Sequence, residues 1–148
     1  MIKLAFTDTR FGELCIDTGK IENDDTLWTP ILLSLFGGNI EADSGQDRQP
    51  IGVENKDWFG NLYLAGIGSE KFNSSFERVL TSTPFTSAGF AEYERAVLAD
   101  LDWLVRAKIL GSIEVTFSIK SAIQIETTIT AEKPNGLPST YQFLWRKR

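Results

Sequence analysis

Ile113-Glu114-Val115-Thr116-Phe117-Ser118-Ile119-Lys120-Ser121-Ala122-Ile123-Gln124-Ile125-Glu126-Thr127-Thr128-Ile129 carries the clearest structural signal in the chain. Ile113, Val115, Phe117 and Ile119 alternate with Glu114, Thr116 and Ser118; after Lys120-Ser121, Ile123, Ile125, Thr127 and Ile129 alternate with Gln124, Glu126 and Thr128. Successive side chains of a strand leave opposite faces, so each run has one face for a core and one for water. A turn at Lys120-Ser121 joins them as an antiparallel hairpin.

On the N-terminal side of this hairpin the period changes. Phe90, Tyr93, Val97, Leu101 and Leu104 recur at three- and four-residue steps, which predicts a helix from about Ser87 to Ile109 with one buried stripe. Thr86 offers an N-cap hydroxyl. Glu92 and Glu94 lie toward the positive end of the dipole, Arg106 and Lys108 toward the negative end, and Gly111 supplies the stop. On the other side, Lys133-Pro134-Asn135-Gly136 reads as a turn and Tyr141-Gln142-Phe143-Leu144-Trp145 as a last strand.

The first half of the chain is less regular. Ile2 to Phe6 and Phe11 to Ile16 read as a hairpin, with Asp17-Thr18-Gly19-Lys20 as the next turn. Asp24-Asp25-Thr26 supplies cap chemistry for a helix that holds Pro30 in its first turn, runs through Leu35 and ends at Gly37-Gly38. Residues 39–57 form a polar loop in which Ser44-Gly45-Gln46-Asp47-Arg48-Gln49-Pro50 has no apolar side chain except proline. Ser69 to Leu80 fits a short helix with Phe72, Phe76 and Leu80 on one face, closed by Pro84. Strands, then helices, then strands give the expected class: a single α+β domain over 1–148, its antiparallel sheet of N-terminal and C-terminal hairpin strands packed on two or three helices.

Composition removes several functions. At 148 residues, 42% hydrophobic and 24% charged, the chain has the balance of an ordinary globular domain. It contains no histidine, which excludes Ser-His-Asp and Cys-His catalysis and imidazole-bound metal. Cys15 is the sole cysteine, so no intrachain disulfide forms, and it reads as a strand thiol. The net charge of −5 opposes a nucleic-acid groove, whose affinity comes from neutralised phosphates. The Arg146-Lys147-Arg148 run reads as a solvated tail. The longest apolar run, Ile31 to Phe36, is far short of the ~20 residues that span a bilayer, and no signal-peptide core follows Lys3. The expectation is cytoplasmic synthesis, with no membrane, metal, cofactor or small-molecule substrate.

Several short motifs occur in a telling order: Leu27-Trp28-Thr29-Pro30-Ile31-Leu32-Leu33-Ser34-Leu35-Phe36, then Asp57-Trp58-Phe59-Gly60-Asn61, then Gly68-Ser69, then Trp103-Leu104-Val105, then the two alternating strands up to Pro134-Asn135-Gly136. Over roughly residues 10 to 136 this order resembles the Mu-type gene-product-forty-six family of phage proteins. That family is similar to the gene-twenty-five-type baseplate wedge proteins of contractile tails. The resemblance implies a small α+β subunit held in a hetero-oligomer by other baseplate wedge subunits. It also implies assembly in the host cytoplasm and residence in the virion tail baseplate. Two departures stand out. The aromatic signature reads Trp58-Phe59-Gly60-Asn61, where the family has a second tryptophan and an acid. Arg106-Ala107-Lys108-Ile109-Leu110 stands where the wider wedge group has Glu-Pro-Arg at a subunit junction.

The protein-binding candidates are therefore Trp58, Phe59, Gly60 and Asn61 beside the polar loop, and Arg106 and Lys108 at the helix-to-strand junction. Trp58 and Phe59 suit an interface anchor, and equally suit folding back onto their own domain. Trp28 and Trp103 lie beside apolar stripes and read as core. A tail-lysozyme activity would need two carboxylates at a set separation, one with a raised pKa. Asp24 and Asp25, Glu41 and Asp43, Glu92 and Glu94, and Asp100 and Asp102 are the available acids, and none is bracketed by a cleft signature. Gly66-Ile67-Gly68-Ser69 lacks the P-loop lysine and reads as a turn. No catalytic residue is expected; a glycosidase or a bacterial adaptor using the same fold are the alternatives.

Overall fold

The computed structural model describes residues 4–8, 11–14, 16–17, 20–21, 27–38, 58, 61–62, 72–134 and 136–147. The chain separates into two compact units, Met1–Leu33 and Ser34–Arg148, with the boundary inside the first helix. Its architecture is α+β, and among the described residues every strand pair is antiparallel.

In the first unit, β1 (Leu4–Asp8) pairs with β2 (Phe11–Leu14), Leu4 opposite Leu14, with a register shift between Phe6 and Asp8. This is the expected N-terminal hairpin. β3 (Ile16–Asp17) and β4 (Lys20–Ile21) pair as a second, shorter one, with Asp17 opposite Lys20 across the expected turn. Helix α1 (Trp28–Phe36) holds Pro30 in its first turn, where a missing N–H costs no hydrogen bond. Cys15, Asp24, Asp25 and the loop 39–57 lie outside the described residues.

The second unit is built on the sheet β5 (Ser112–Ser121), β6 (Gln124–Glu132) and β7 (Pro138–Arg146), with β6 in the centre. Pro138 opens an edge strand, where a missing donor is tolerated. Ile125, Thr127, Ile129 and Ala131 of β6 are all buried, and the residues between them are only partly covered. Period-two patterning thus set the faces. The reversal, however, lies two residues later than Lys120-Ser121: Ser121 pairs with Gln124 around Ala122-Ile123, and the register shifts between Ile119 and Ser121. Ile123 therefore sits in the turn and is exposed, whereas the alternation had put it in the core.

Three helical pieces cover the inner face. Helix α2 is Phe76–Ser82, a 3₁₀ turn spans Ser87–Gly89, and helix α3 is Phe90–Arg106. Tyr93, Val97, Leu101 and Leu104 are fully buried, as the stripe predicts. An aromatic layer fills the space between helices and sheet: Phe36 stacks on Trp145 at 5.4 Å, Phe76 meets Phe143 edge-on at 6.1 Å, and Phe117 lies against Tyr93 at 5.6 Å. Such pairs contribute about 0.5–1.5 kcal/mol beyond area burial. The Tyr93 hydroxyl donates to the carbonyls of Thr83 and Pro84, and burial, aided by the charge of Glu92, pushes its pKa up to about 12.

Several local expectations change. α2 begins at Phe76, leaving Phe72 outside it, because Ser75 is held at the helix start by a carboxylate from α3. The Thr86 hydroxyl makes no capping bond; its carbonyl accepts from Gly89 N–H and so starts the 3₁₀ turn. Part of the C-terminal basic run is held to the fold: Arg146 ends β7 with its side chain exposed, Lys147 N–H donates to Ile123 O, and the Lys147 ammonium lies 5.7 Å from the Phe85 ring centroid.

Candidate functional site

Four of the six protein-binding candidates are described, Trp58, Asn61, Arg106 and Lys108, and they separate into two places. At the first, Asn61 is 1% exposed and works as a backbone clamp: its Nδ2 donates to Phe72 O at 2.9 Å while its Oδ1 accepts from Phe72 N–H at 2.7 Å. An asparagine side chain offers this donor and acceptor together, as a neighbouring strand would; a carboxylate offers only the acceptor. Asn61 N–H donates to Trp58 O, and the half-buried Trp58 ring tilts against Phe72 at 5.3 Å. Close by, Ser74 donates to Gly38 O through both its backbone N–H and its hydroxyl. A side chain at Gly38 would come within 3.2 Å of Phe72 O, so glycine permits this approach. Trp58 and Asn61 thus join Gly38 and Phe72 in one packed cluster. Phe59 and Gly60 lie outside the described residues.

At the second place, α3 ends in a Schellman motif. Ile109 N–H reaches back to Leu104 O at 3.0 Å and Lys108 N–H to Val105 O at 2.9 Å, with Lys108 left-handed at φ 57°. That position is ordinarily glycine, since a side chain there costs roughly 1 kcal/mol. Lys108 therefore stops the helix, and Gly111, expected to do so, instead donates its N–H to Glu132 O. Arg106 pairs with Asp102 at 2.6 Å on the exposed helix surface, a contact worth less than about 1 kcal/mol. Beyond Lys108 opens a cleft of about 440 Å³ lined by Lys108, Ile109, Lys133, Pro134 and Gly136.

Two further relationships escaped the sequence. Trp103, expected in the core, is 38% exposed, and its Nε1 donates to Ser34 Oγ at 2.9 Å. The amphiphilic indole explains this placement: one edge needs a polar partner and the other tolerates water. Asp100 accepts from Ser75 N–H, Ser75 Oγ and Phe76 N–H, each at 2.9 Å. Burial pushes its pKa up to about 6, against the opposing pull of these hydrogen bonds and of Arg78. Its helical position gave no hint of this, because the cap it forms belongs to another helix.

Among the described residues no three Cys, Asp or Glu side chains gather as a metal site, and no helix is long and apolar enough to cross a membrane. No family model, curated protein or solved structure matches the chain.

Proposed function

We propose that the chain is a structural subunit of a phage or phage-derived contractile tail baseplate, acting by assembly with other wedge subunits. The observation that supports this best is the hydrogen bond from Trp103 to Ser34. It joins the Leu-Leu-Ser-Leu-Phe and Trp-Leu-Val motifs, 69 residues apart, whose order underlies the resemblance to the gene-product-forty-six family. Motifs that meet in space and leave a partly exposed tryptophan fit a shared structural role. Leu62 and Leu137 are 84% and 88% exposed, and Leu98 and Val105 of α3 are also open to solvent. Exposed apolar side chains of this size suit surfaces that partners cover.

The reading assigns no catalytic residue and no cofactor. Its test is genetic: removing the gene from the tail cluster that encodes it abolishes assembly of sheathed tails, and a plasmid copy restores them. Normal contractile tails in the deletion strain would overturn the proposal.

A further inference from the structure

We infer that the outer line of α3, formed by Ala91, Leu98 and Val105, pairs two copies of this chain, helix against antiparallel helix about a two-fold axis at Leu98. The inference goes beyond the assembly reading and does not depend on it. α3 buries one stripe, Tyr93, Val97, Leu101 and Leu104, in the core. A second apolar line faces outward: Ala91 is exposed, and Leu98 and Val105 are 38% and 37% exposed. Residues seven apart lie two turns apart on almost the same line of a helix, so these three make a ridge about 21 Å long. A helix that serves only its own core needs one apolar stripe, with polar residues elsewhere.

Charge complementarity identifies the occupant as a second copy. Arg95 lies three residues before Leu98 and Asp102 four after it, both on the same side of the ridge. A two-fold axis through Leu98 turns three residues before into three residues after, so Arg95 of the second copy lies within about 1.5 Å, along the helix, of Asp102. The reciprocal pair forms by the same symmetry, as an isologous contact requires. Ala91 then meets Val105, small against branched, and Leu98 meets its own counterpart. Glu94 flanks the other side of the ridge, four residues from the axis, which leaves it about 12 Å from its counterpart. Both charged partners are available. Arg95 is exposed and makes no ion pair among the described residues. Asp102, its side chain 53% exposed, meets Arg106 through Oδ2 at 2.6 Å, so Oδ1 is left to accept from Arg95 of the second copy. One helix on one helix buries less than the ~1,200 Å² of a standard interface, so dissociation in the micromolar range is expected.

The test uses the purified full chain, without other tail subunits, in equilibrium sedimentation from low to high micromolar concentration. The mass should rise from 16.5 kDa toward twice that value. Arg95→Asp and Asp102→Arg, each alone, should weaken self-association about tenfold or more. The two together should restore it, because the swap returns opposite charges to both pairs. All three variants should melt near the wild-type temperature, since both positions are exposed. In a Cys15→Ser background, which removes the sole native thiol, Leu98→Cys should give a disulfide-linked dimer under mild oxidation and Glu94→Cys should not. A mass that stays at 16.5 kDa throughout, a double swap that fails to restore association, or equal disulfide yields at positions 98 and 94 overturns the inference. A chain that fails these tests yet joins its neighbours on co-expression leaves the assembly reading standing.

Discussion

Asp100 on α3 caps α2 from outside, accepting the Ser75 N–H and hydroxyl and the Phe76 N–H with one carboxylate. Because this one group satisfies the helix start and ties the two helices together, its removal leaves partly buried donors unpaired. Asp100→Ala should lower stability by about 2–4 kcal/mol in urea titration. The pKa adds a pH signature. Raised from 3.8 to about 6, the folded carboxyl holds its proton more tightly than the unfolded one. Its contribution is therefore fully present below pH ~4 and is lost as pH rises through ~6, by on the order of 1–3 kcal/mol. Unfolding midpoints should be higher at pH 5 than at pH 7, and Asp100→Asn should flatten that difference. An equal slope in the variant would place its origin elsewhere.

Asn61 gives a second measurement. Replacing Asn61 by Asp keeps the acceptor for Phe72 N–H but sets a carboxylate oxygen against Phe72 O in a buried site. The expected loss is about 1–3 kcal/mol, read by chemical denaturation at pH 7. Wild-type stability in this variant would mean that the clamp contributes nothing.

Thr127 faces the core between Phe117 and Phe143 in register, fully buried, and its hydroxyl has no hydrogen-bond partner among the described residues. Thr127→Val removes that hydroxyl at nearly constant volume. A gain of about 1 kcal/mol is expected. A loss in the melting experiment would show that the hydroxyl is satisfied in solution.

Legibility in the sequence followed the range of the interactions. The alternation from Ile113 to Ile129 and the Tyr93 to Leu104 stripe express local periodicity, and β6 and α3 bury the faces expected, while Ile119 and Ile123 beside the reversal are exposed. What escaped depended on distant partners. Nothing near Phe72 announces that Asn61 will hold it straight, and nothing near Ser75 announces Asp100. Lys108 was hidden for the opposite reason: a left-handed lysine stands where glycine is usual, and the nearest glycine, Gly111, lies three residues on. Of the candidate surface, the position of the helix-to-strand junction was readable; its cleft was not, because Lys133, Pro134 and Gly136 line it from a turn twenty-five or more residues later.

The alternative of a tail lysozyme makes its own demand. Asp100 is the described carboxyl with a raised pKa, the direction a general acid requires, but its oxygens accept hydrogen bonds from Ser75 and Phe76. Purified protein should leave peptidoglycan suspensions turbid. Clearing that is abolished by changing a single Asp or Glu would establish hydrolysis instead.

The most informative measurement is the mass of the species formed when the chain is co-expressed with its neighbouring wedge subunits, by size exclusion with light scattering. The assembly account expects one heteromeric peak containing both chains, surviving moderate salt. Weakening by Trp58→Ala with Phe59→Ala would locate a contact at that pair, provided the free subunit still melts cooperatively. Independent peaks for the wild-type chain and every neighbour, across salt conditions, would contradict the account.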